Sequence, residues 1–115
     1  IGEAWFNIER VLDKGTAVLA AFMAGGTQRV YDMARDYSQS RIAFGVPIGT
    51  FQRVQDHVIE ALNAADSGKW AAFEALWKLD EESPDAAVAV SMAKSVASTG
   101  FPQACDLAHP FEHSN

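Results

Sequence analysis

The residues best suited to binding a ligand lie in one stretch, Arg41 to Gln52, which reads RIAFGVPIGTFQ. A guanidinium matches phosphate oxygens through two parallel hydrogen bonds, so Arg41 suits a phosphate. Phe44 and Phe51 offer flat rings for stacking, and the Gln52 amide can donate to and accept from a base or ribose. The set suits one end of a dinucleotide. On spacing alone, the simpler alternative is that Arg41 caps a helix carboxyl end and the rest is a rigid turn.

Composition limits the kinds of protein this chain can be. It has 115 residues, 49% of them hydrophobic, which is enough for one domain with a modest core. Fifteen acidic and 9 basic residues give a net charge of −6, which argues against a duplex nucleic-acid partner. No apolar run approaches the ~20 residues of a membrane span. Cys105 is the single cysteine, so no internal disulfide forms, and we expect a reducing, cytoplasmic location.

Two long segments place apolar residues in steps of three and four, which predicts amphipathic helices. The first runs from about Trp5 to Ser40, and the second from near Thr50 to Leu79. Ser67-Gly68-Lys69 interrupts the second stripe and marks a point where the helix could bend or unwind. Gly15 and Gly25–Gly26 interrupt the first. Either another backbone or a ligand approaches closely at these glycines, or the breaks are simply tolerated.

A third helix is predicted after the turn at Glu81–Asp85. Ser83 in this turn is a natural N-cap. The helix should run through Ala86–Val96, after which Gly100 and Pro102 should disturb or end it. The remainder is expected to be a last short helix or an irregular tail.

Together these elements predict an all-α fold, an up-and-down bundle of three long helices plus a short tail, in one domain spanning residues 1–115. No strand is expected, because no run alternates with a period of two. Three helices of unequal length leave an exposed edge that a fourth element or another subunit would cover. Because the chain begins with Ile1, we expect a fragment or truncated domain. Four large aromatic residues are predicted to lie in the core or in a subunit interface: Trp5, Trp70, Phe73 and Trp77.

The remaining candidates for chemistry are weak. His109 and His113 stand four residues apart, but Pro110 argues against a helix that presents both to one metal ion, so no metal site is predicted. Cys105 is expected to be a small buried residue rather than a nucleophile. No catalytic residue is predicted within the chain.

The run from Gly25 to Gln52 resembles the signature of the acyl-CoA dehydrogenase C-terminal helical domain. Its glycine, Q-R pair, tyrosine, R-x-x-F-G-x-P-I and F-Q stand at the spacings of that signature in GGTQRVYDMARDYSQSRIAFGVPIGTFQ. The later run DEESPDAAVAVSMAK is similar to the family's turn into its next helix. The resemblance extends from about Trp5 to Ala97.

The resemblance implies part of an enzyme that uses FAD to remove two hydrogens from the α and β carbons of an acyl-CoA thioester. Such enzymes pass electrons to an electron-transfer flavoprotein, and their C-terminal helices form dimer and tetramer contacts. The resemblance places Arg41 at the FAD pyrophosphate of the neighbouring subunit, Phe44 beside the adenine end, and Phe51 and Gln52 at the adenosine part. It places Asp13 at an acidic position that contacts the coenzyme A end in some members.

Three positions depart from the family pattern. The catalytic glutamate of the isovaleryl and long-chain types corresponds to Gly15, while in most members it follows a glycine pair beyond the end of this chain. Glu9 lies six residues too early to replace it. The arginine that usually follows the acidic position is Thr16, and the expected Q-x-H-G-G after Cys105 is replaced by the run HPFEH.

Two hypotheses follow from these matches and departures. In the first, the chain is the C-terminal domain of a flavin-dependent acyl-CoA dehydrogenase, inactive alone, with its base outside this segment. In the second, it is a non-catalytic helical structural or oligomerisation module, such as the inactive half of a heteromeric dehydrogenase. The matched Arg41, Phe44 and Gln52 favour the first. Gly15, Thr16 and the altered tail after Cys105 favour the second.

Overall fold

The chain folds into three long helices and a short β-ribbon. The computed structural model describes residues 2–40, 42–43, 45–47 and 52–112. Its elements are α1 (Gly2–Ser40), β1 (Ile42–Ala43), β2 (Val46–Pro47), α2 (Gln52–Asp80) and α3 (Ala86–Glu112). Each helix packs against both others, and the body measures 68 × 20 × 15 Å. The predicted all-α up-and-down bundle is confirmed.

The ribbon between α1 and α2 corrects the expectation that the chain holds no strand. Ile42 pairs with Pro47 and Ala43 with Val46 in antiparallel register. Gly45, between the strands, has a φ of 82°, a conformation that glycine adopts freely because it lacks a Cβ atom. Strands of two residues are too short to show a period-two pattern, which is why the sequence did not reveal them.

Small residues form almost the entire core. One buried cluster, nearer the α2–α3 turn, consists of Ala17, Ala20, Ala75, Ala89, Val90, Ala93 and Ala97. A second cluster, nearer the ribbon, contains Ala34 and Ala108, with Val54 and Val58 packed against it. Alanine side chains are short, so the three helices can approach one another closely, which leaves little room between them for large side chains.

Three close contacts fix the helices relative to one another, one for each pair of helices. In each, a side chain of one helix lies against a glycine of the next: Ala24 on Gly68, Ala64 on Gly100 and Phe101 on Gly26. A Cβ atom added at Gly68 would lie 3.5 Å from the Ala24 Cβ, whereas one added at Gly26 would overlap the Phe101 ring. Of the two alternatives left open for the α1 glycines, close approach therefore holds at Gly26.

α3 continues through Gly100 and Pro102, so the prediction that the helix is disturbed or ended there was wrong. A proline inside a helix costs about 3 kcal/mol. Packing on both sides of the proline offsets this cost, because Gly100 lies against Ala64 and Ala104 is fully buried. α2 is likewise continuous through residues 67–69, where a bend or break was anticipated.

The turn between α2 and α3 ends α2 with a Schellman motif. The Ser83 N–H donates to the Lys78 carbonyl (2.9 Å) and the Glu82 N–H to the Leu79 carbonyl (3.2 Å), which are the two bonds of that motif. Glu82 takes the left-handed position, with a φ of 55°. Ser83 is not the predicted N-cap, because its hydroxyl donates to the Asp85 carboxylate (2.6 Å) and α3 begins only after Asp85.

The aromatic residues predicted for the core or an interface lie outside the core. Trp5, Trp70, Phe73 and Trp77 leave 62%, 63%, 55% and 62% of their surfaces exposed. The apolar stripe of α1 is also exposed: Ile8, Val11, Leu12, Val18, Leu19 and Phe22. Apolar periodicity thus predicted the helices correctly, but the alanines on the opposite faces occupy the core. A role in a subunit interface stays a prediction.

Candidate functional site

One of the ligand-binding residues predicted from the sequence, Gln52, lies at the β-ribbon end of the bundle. Gln52 is the first residue of α2 and is exposed, and its Nε2 atom donates to the Asp56 carboxylate (2.8 Å). Side-chain pairs of this kind on a helix surface contribute only about 0.2–0.5 kcal/mol, so a ligand can replace Asp56 at little cost. Arg41, Phe44 and Phe51 lie outside the described residues.

A cleft of about 440 Å³ lies at the other end of the bundle. Its walls are the first turns of α1 and the α2–α3 turn, and its lining includes Phe6, Asp13, Lys14 and Pro84. Asp13 precedes the buried Ala17 by one helical turn, so it continues the core face of α1 into the cleft. It is half-buried there. The cleft presents charges of both signs to a polar ligand.

Ion pairs hold the α2–α3 turn against its neighbours. The Arg10 guanidinium reaches the Glu82 carboxylate across the cleft (2.9 Å). The Lys78 ammonium lies 2.6 Å from Asp85 and 3.1 Å from Glu74. The hydrogen bond to Asp85, followed by the one to Glu74, raises the pKa of Lys78. The same bond from Lys78, followed by that from Ser83, lowers the pKa of Asp85.

The structure does not bring Asp13 and Gln52 together. Asp13 lies in the cleft, while Gln52 lies beyond the far end of α1. With a rise of 1.5 Å per residue, the 27 residues from Asp13 to Ser40 span roughly 40 Å. The predicted coenzyme A contact at Asp13 and the predicted FAD contact at Gln52 therefore lie at opposite ends of the bundle.

Gly15 and Thr16, two positions at which the chain departs from the family pattern, do not line the cleft that contains Asp13. Gly15 stands one turn from Leu12 and one turn from Leu19, both exposed, and nothing lies within 4 Å of a Cβ atom built on it. The position that carries the catalytic glutamate in two family types thus opens onto the outer apolar stripe of α1. The Thr16 hydroxyl donates to the Leu12 carbonyl (2.8 Å), so it is engaged within the helix.

The remaining candidates are metal ligands, the single cysteine and a membrane span. No group of three or more histidine, cysteine, aspartate or glutamate side chains there could hold a metal ion. The side chains of His109 and His113 lie outside that part. Cys105 is exposed, so the expectation that it is buried was wrong; its position on α3 faces away from the alanine core. None of the described helices has the length and apolarity needed to cross a bilayer.

The Arg10–Glu82 pair and the left-handed Glu82 were missed by sequence reasoning. The two residues of the pair are 72 positions apart, and only the packing of α1 against the turn brings them together. A glutamate also gives no local signal for a left-handed conformation, which is usually occupied by glycine or asparagine.

A family model described as the acyl-CoA dehydrogenase C-terminal domain matches residues 4–109 of the chain. The match covers nearly the whole bundle, including the ribbon and the three helices.

Three relatives show similar levels of identity to the chain. The chain is 30% identical over 97 residues to the L-prolyl-[peptidyl-carrier protein] dehydrogenase of a Serratia species, covering 84% of this chain and 24% of that protein. It is 31% identical to a probable acyl-CoA dehydrogenase of Bacillus subtilis, with 84% and 26% covered. It is 30% identical to the cyclohex-1-ene-1-carbonyl-CoA dehydrogenase of Geobacter metallireducens, again with 84% and 26% covered. The chain thus spans about a quarter of the length of these relatives.

Proposed function

Because this chain belongs to the acyl-CoA dehydrogenase family, as its C-terminal domain, we propose that it is the FAD-contacting and oligomerising part of a flavin-dependent dehydrogenase. The reaction would be the α,β-dehydrogenation of an acyl thioester, with electrons passed to an electron-transfer flavoprotein. The family match over residues 4–109 carries this proposal. The chain spans about a quarter of the length of its relatives, and we expect the segment alone to be inactive.

The residues of the ribbon end fit a dinucleotide. Gln52 is exposed at the start of α2, and among the described residues its amide bonds to Asp56, so the amide is accessible to an adenosine. Arg41, Phe44 and Phe51 would complete the contact, with the arginine on the pyrophosphate and the rings beside the adenosine. When bound, FAD would accept the two electrons removed from the acyl chain.

The separation of the two candidate contacts supports sharing of sites between subunits. Asp13 lies roughly 40 Å along α1 from its ribbon end, so one protomer would contact its own thioester near the cleft and a neighbour's FAD at the ribbon. This arrangement agrees with the resemblance, in which Arg41 serves the FAD of the adjacent subunit.

The catalytic base would lie outside this segment. At the position of the family glutamate the chain has Gly15, which has no side chain to take a proton. The neighbouring Thr16 offers a hydroxyl that is already bonded to Leu12, in place of an arginine. Activity assays should use both coenzyme A thioesters and carrier-protein thioesters, since the relatives' names include substrates of both kinds.

The proposal is tested by Arg41→Ala in the full-length gene product that contains this sequence. Loss of a charge-assisted hydrogen-bonded contact costs about 1.5–3 kcal/mol, so we expect FAD to bind about 10- to 100-fold more weakly. Flavin absorbance per protein and titration of the apoprotein with FAD measure this. Arg29→Ala, an exposed arginine of α1, is the control and should leave flavin binding unchanged. Equal occupancy in both variants contradicts the FAD contact.

A second candidate function is a non-catalytic structural module, which the glycine at position 15 favours. The assembled protein separates the two candidates. A flavin spectrum and dehydrogenation of an acyl thioester support the first. An assembly without flavin, whose partner subunit holds the cofactor, supports the second.

A further inference from the structure

The cleft at the α2–α3 turn is lined by two cationic side chains that differ in their surroundings. Arg10 and Lys14 both line the cleft and stand one turn apart on the same side of α1. The Arg10 guanidinium lies 2.9 Å from the Glu82 carboxylate and 5.9 Å from the centre of the Phe6 ring. Lys14 is exposed and has no bonding partner among the described residues. Its ammonium group is therefore the cation of the described lining that is available to a ligand.

The other lysines of the chain are engaged elsewhere and do not line the cleft. Lys78 forms ion pairs at the α2–α3 turn. Lys69 lies 5.0 Å from the centre of the neighbouring tryptophan ring, and Lys94 donates to a serine one turn along α3 (2.8 Å). An ammonium group is a compact charge with three donors, which suits the oxygen atoms of a phosphate. The environment of Lys14 therefore favours the binding of an anion.

The acidic side chains beside Lys14 restrict the class of ligand. Asp13 and Glu9 line the same cleft, and neither has a basic partner among the described residues. Carboxylates accept hydrogen bonds and repel a ligand that carries several negative charges. A ligand with amide N–H donors and a single phosphate fits both kinds of group. The phosphopantetheine arm, which ends in the thiol that carries an acyl group, has this composition.

We propose that Lys14 binds the phosphate of the phosphopantetheine arm of the acyl-thioester substrate, while Glu82 keeps Arg10 engaged beside it. This inference rests on the function proposed above, in which a thioester is bound near the cleft, and it adds the residue that recognises the arm. Coenzyme A and carrier proteins both present this arm, and both kinds of carrier occur in the relatives' names. Thr16 does not line the cleft, because its hydroxyl is bonded within α1.

Three thioesters of one acyl group test the contact: acyl-coenzyme A, acyl-phosphopantetheine and acyl-pantetheine, which lacks the phosphate. In the full-length gene product that contains this sequence, we expect Lys14→Ala to raise KM about tenfold for the first two. The kcat should not change, because the phosphate is bound equally in the ground and transition states. KM for acyl-pantetheine should also stay the same. Calorimetric titration with thioether analogues should give the same order of affinities without turnover.

Two control variants separate recognition of the phosphate from other effects. Lys14→Arg keeps the charge and should retain most of the affinity for acyl-phosphopantetheine. Lys94→Ala removes a lysine outside the cleft and should leave all three KM values unchanged. In the wild type, KM for acyl-coenzyme A and for an acylated carrier protein distinguishes the two sources of the arm. Lys14→Ala should weaken binding of the preferred one.

A second substitution tests the role of Glu82. Glu82→Gln removes the charge that holds Arg10, so in the Lys14→Ala background the guanidinium becomes available to the phosphate. We expect the double variant to bind acyl-phosphopantetheine about threefold more tightly than Lys14→Ala does. If Lys14 had only a structural role, Glu82→Gln would not restore affinity. Helical circular dichroism confirms that the variants are folded.

The proposal is overturned if Lys14→Ala weakens the binding of all three thioesters equally, or of none. A loss confined to acyl-coenzyme A also overturns it, because the contact would then be with the nucleotide rather than with the arm. Each of these results leaves the flavin proposal standing, since Arg41→Ala reports on FAD occupancy independently. Conversely, a protein without flavin in which Lys14→Ala still discriminates between phosphorylated and unphosphorylated thioesters would reject the flavin proposal and support this one.

Discussion

At the level of single residues, two adjacent glycines of α1 serve different purposes. Gly26 accommodates the ring of Phe101 from α3, whereas nothing lies within 4 Å of a Cβ atom built on Gly25. Their identical chemistry and neighbouring positions make them a natural pair for measuring what close packing contributes.

We expect Gly25→Ala to stabilise the protein and Gly26→Ala to destabilise it relative to Gly25→Ala. Alanine improves a helix by about 0.8–1 kcal/mol over glycine, and only Gly25 can gain this freely. At Gly26 the new methyl group must displace the Phe101 ring, and overpacking costs about 1–3 kcal/mol. Urea denaturation of both variants measures the free energy of unfolding.

The double variant Gly26→Ala/Phe101→Ala identifies the cause. Without the ring, Gly26→Ala should regain the helix-propensity benefit and become stabilising. If Gly26→Ala is as stabilising as Gly25→Ala in the native background, the contact with Phe101 carries no energetic weight.

At the level of secondary-structure elements, the end of α2 holds a strained residue. Glu82 adopts a left-handed conformation with a φ of 55°, which costs a residue with a Cβ atom about 1–2 kcal/mol. The Arg10–Glu82 pair is exposed and contributes about 0–1 kcal/mol. The stability of the Schellman motif therefore depends more on a residue that adopts the left-handed conformation freely than on the Arg10–Glu82 ion pair.

We expect Glu82→Gly to be more stable than Glu82→Ala by about 1 kcal/mol. Both variants lose the contact with Arg10, so their difference isolates the left-handed backbone. Thermal and chemical unfolding of the two variants measures it. Equal stabilities would show that the turn relaxes to another conformation.

The Lys78–Asp85 pair gives the same turn a defined pH dependence. The pKa of Asp85 is lowered by Lys78 and Ser83, so its stabilising contribution is present above the unfolded value of about 3.9 and is lost as the pH falls through the folded value. The pKa of Lys78 is raised by Asp85 and Glu74. Its contribution is complete below about 10.4 and is lost as the pH rises through the folded value.

We expect Asp85→Asn to lower Tm between pH 5 and 8, and the difference from the wild type to shrink below about pH 4. Melting curves across this range measure the effect. Asp106→Asn, which changes an exposed carboxylate of α3 with no ion pair among the described residues, is the control and should show no comparable change. A constant difference between wild type and Asp85→Asn at all pH values contradicts the assigned pKa shift.

The helices themselves show where sequence reasoning succeeds. Steps of three and four predicted α1 and α2 within a few residues of their ends, because periodicity depends on local geometry alone. The end of α3 was misjudged because Gly100 and Pro102 disfavour a helix locally. Packing of Gly100 on Ala64 and burial of Ala104 outweigh that preference.

At the level of the whole molecule, a narrow alanine core is enclosed by large exposed apolar side chains. The rod of 68 × 20 × 15 Å buries small residues and exposes Trp70, Phe73 and Trp77 on one side, and the apolar stripe of α1 on another. Most stable domains bury such residues, since burying a large side chain contributes about 1.5–3 kcal/mol. The described part of the chain therefore leaves much of its large apolar surface uncovered.

Some features of the candidate site could be predicted from the sequence, and others required the folded structure. The residue types of Arg41, Phe44, Phe51 and Gln52 suit a dinucleotide, but spacing alone left a helix cap and a rigid turn as the simpler alternative. The family resemblance favoured ligand contact, which stays a prediction. Only the folded chain shows that Asp13 lies at the opposite end of α1.

The sequence by itself determined α1, α2, the start of α3 and the family, since these depend on residue order and short-range geometry. Tertiary structure decided which face of each helix is buried. Both faces of α1 and α2 are apolar enough to form a core, and the close approach at Gly26, Gly68 and Gly100 selects the alanine faces. Apart from the Phe101 ring at Gly26, there is little room for large side chains between alanine-lined helices at that separation, so most large apolar side chains lie on the outer faces.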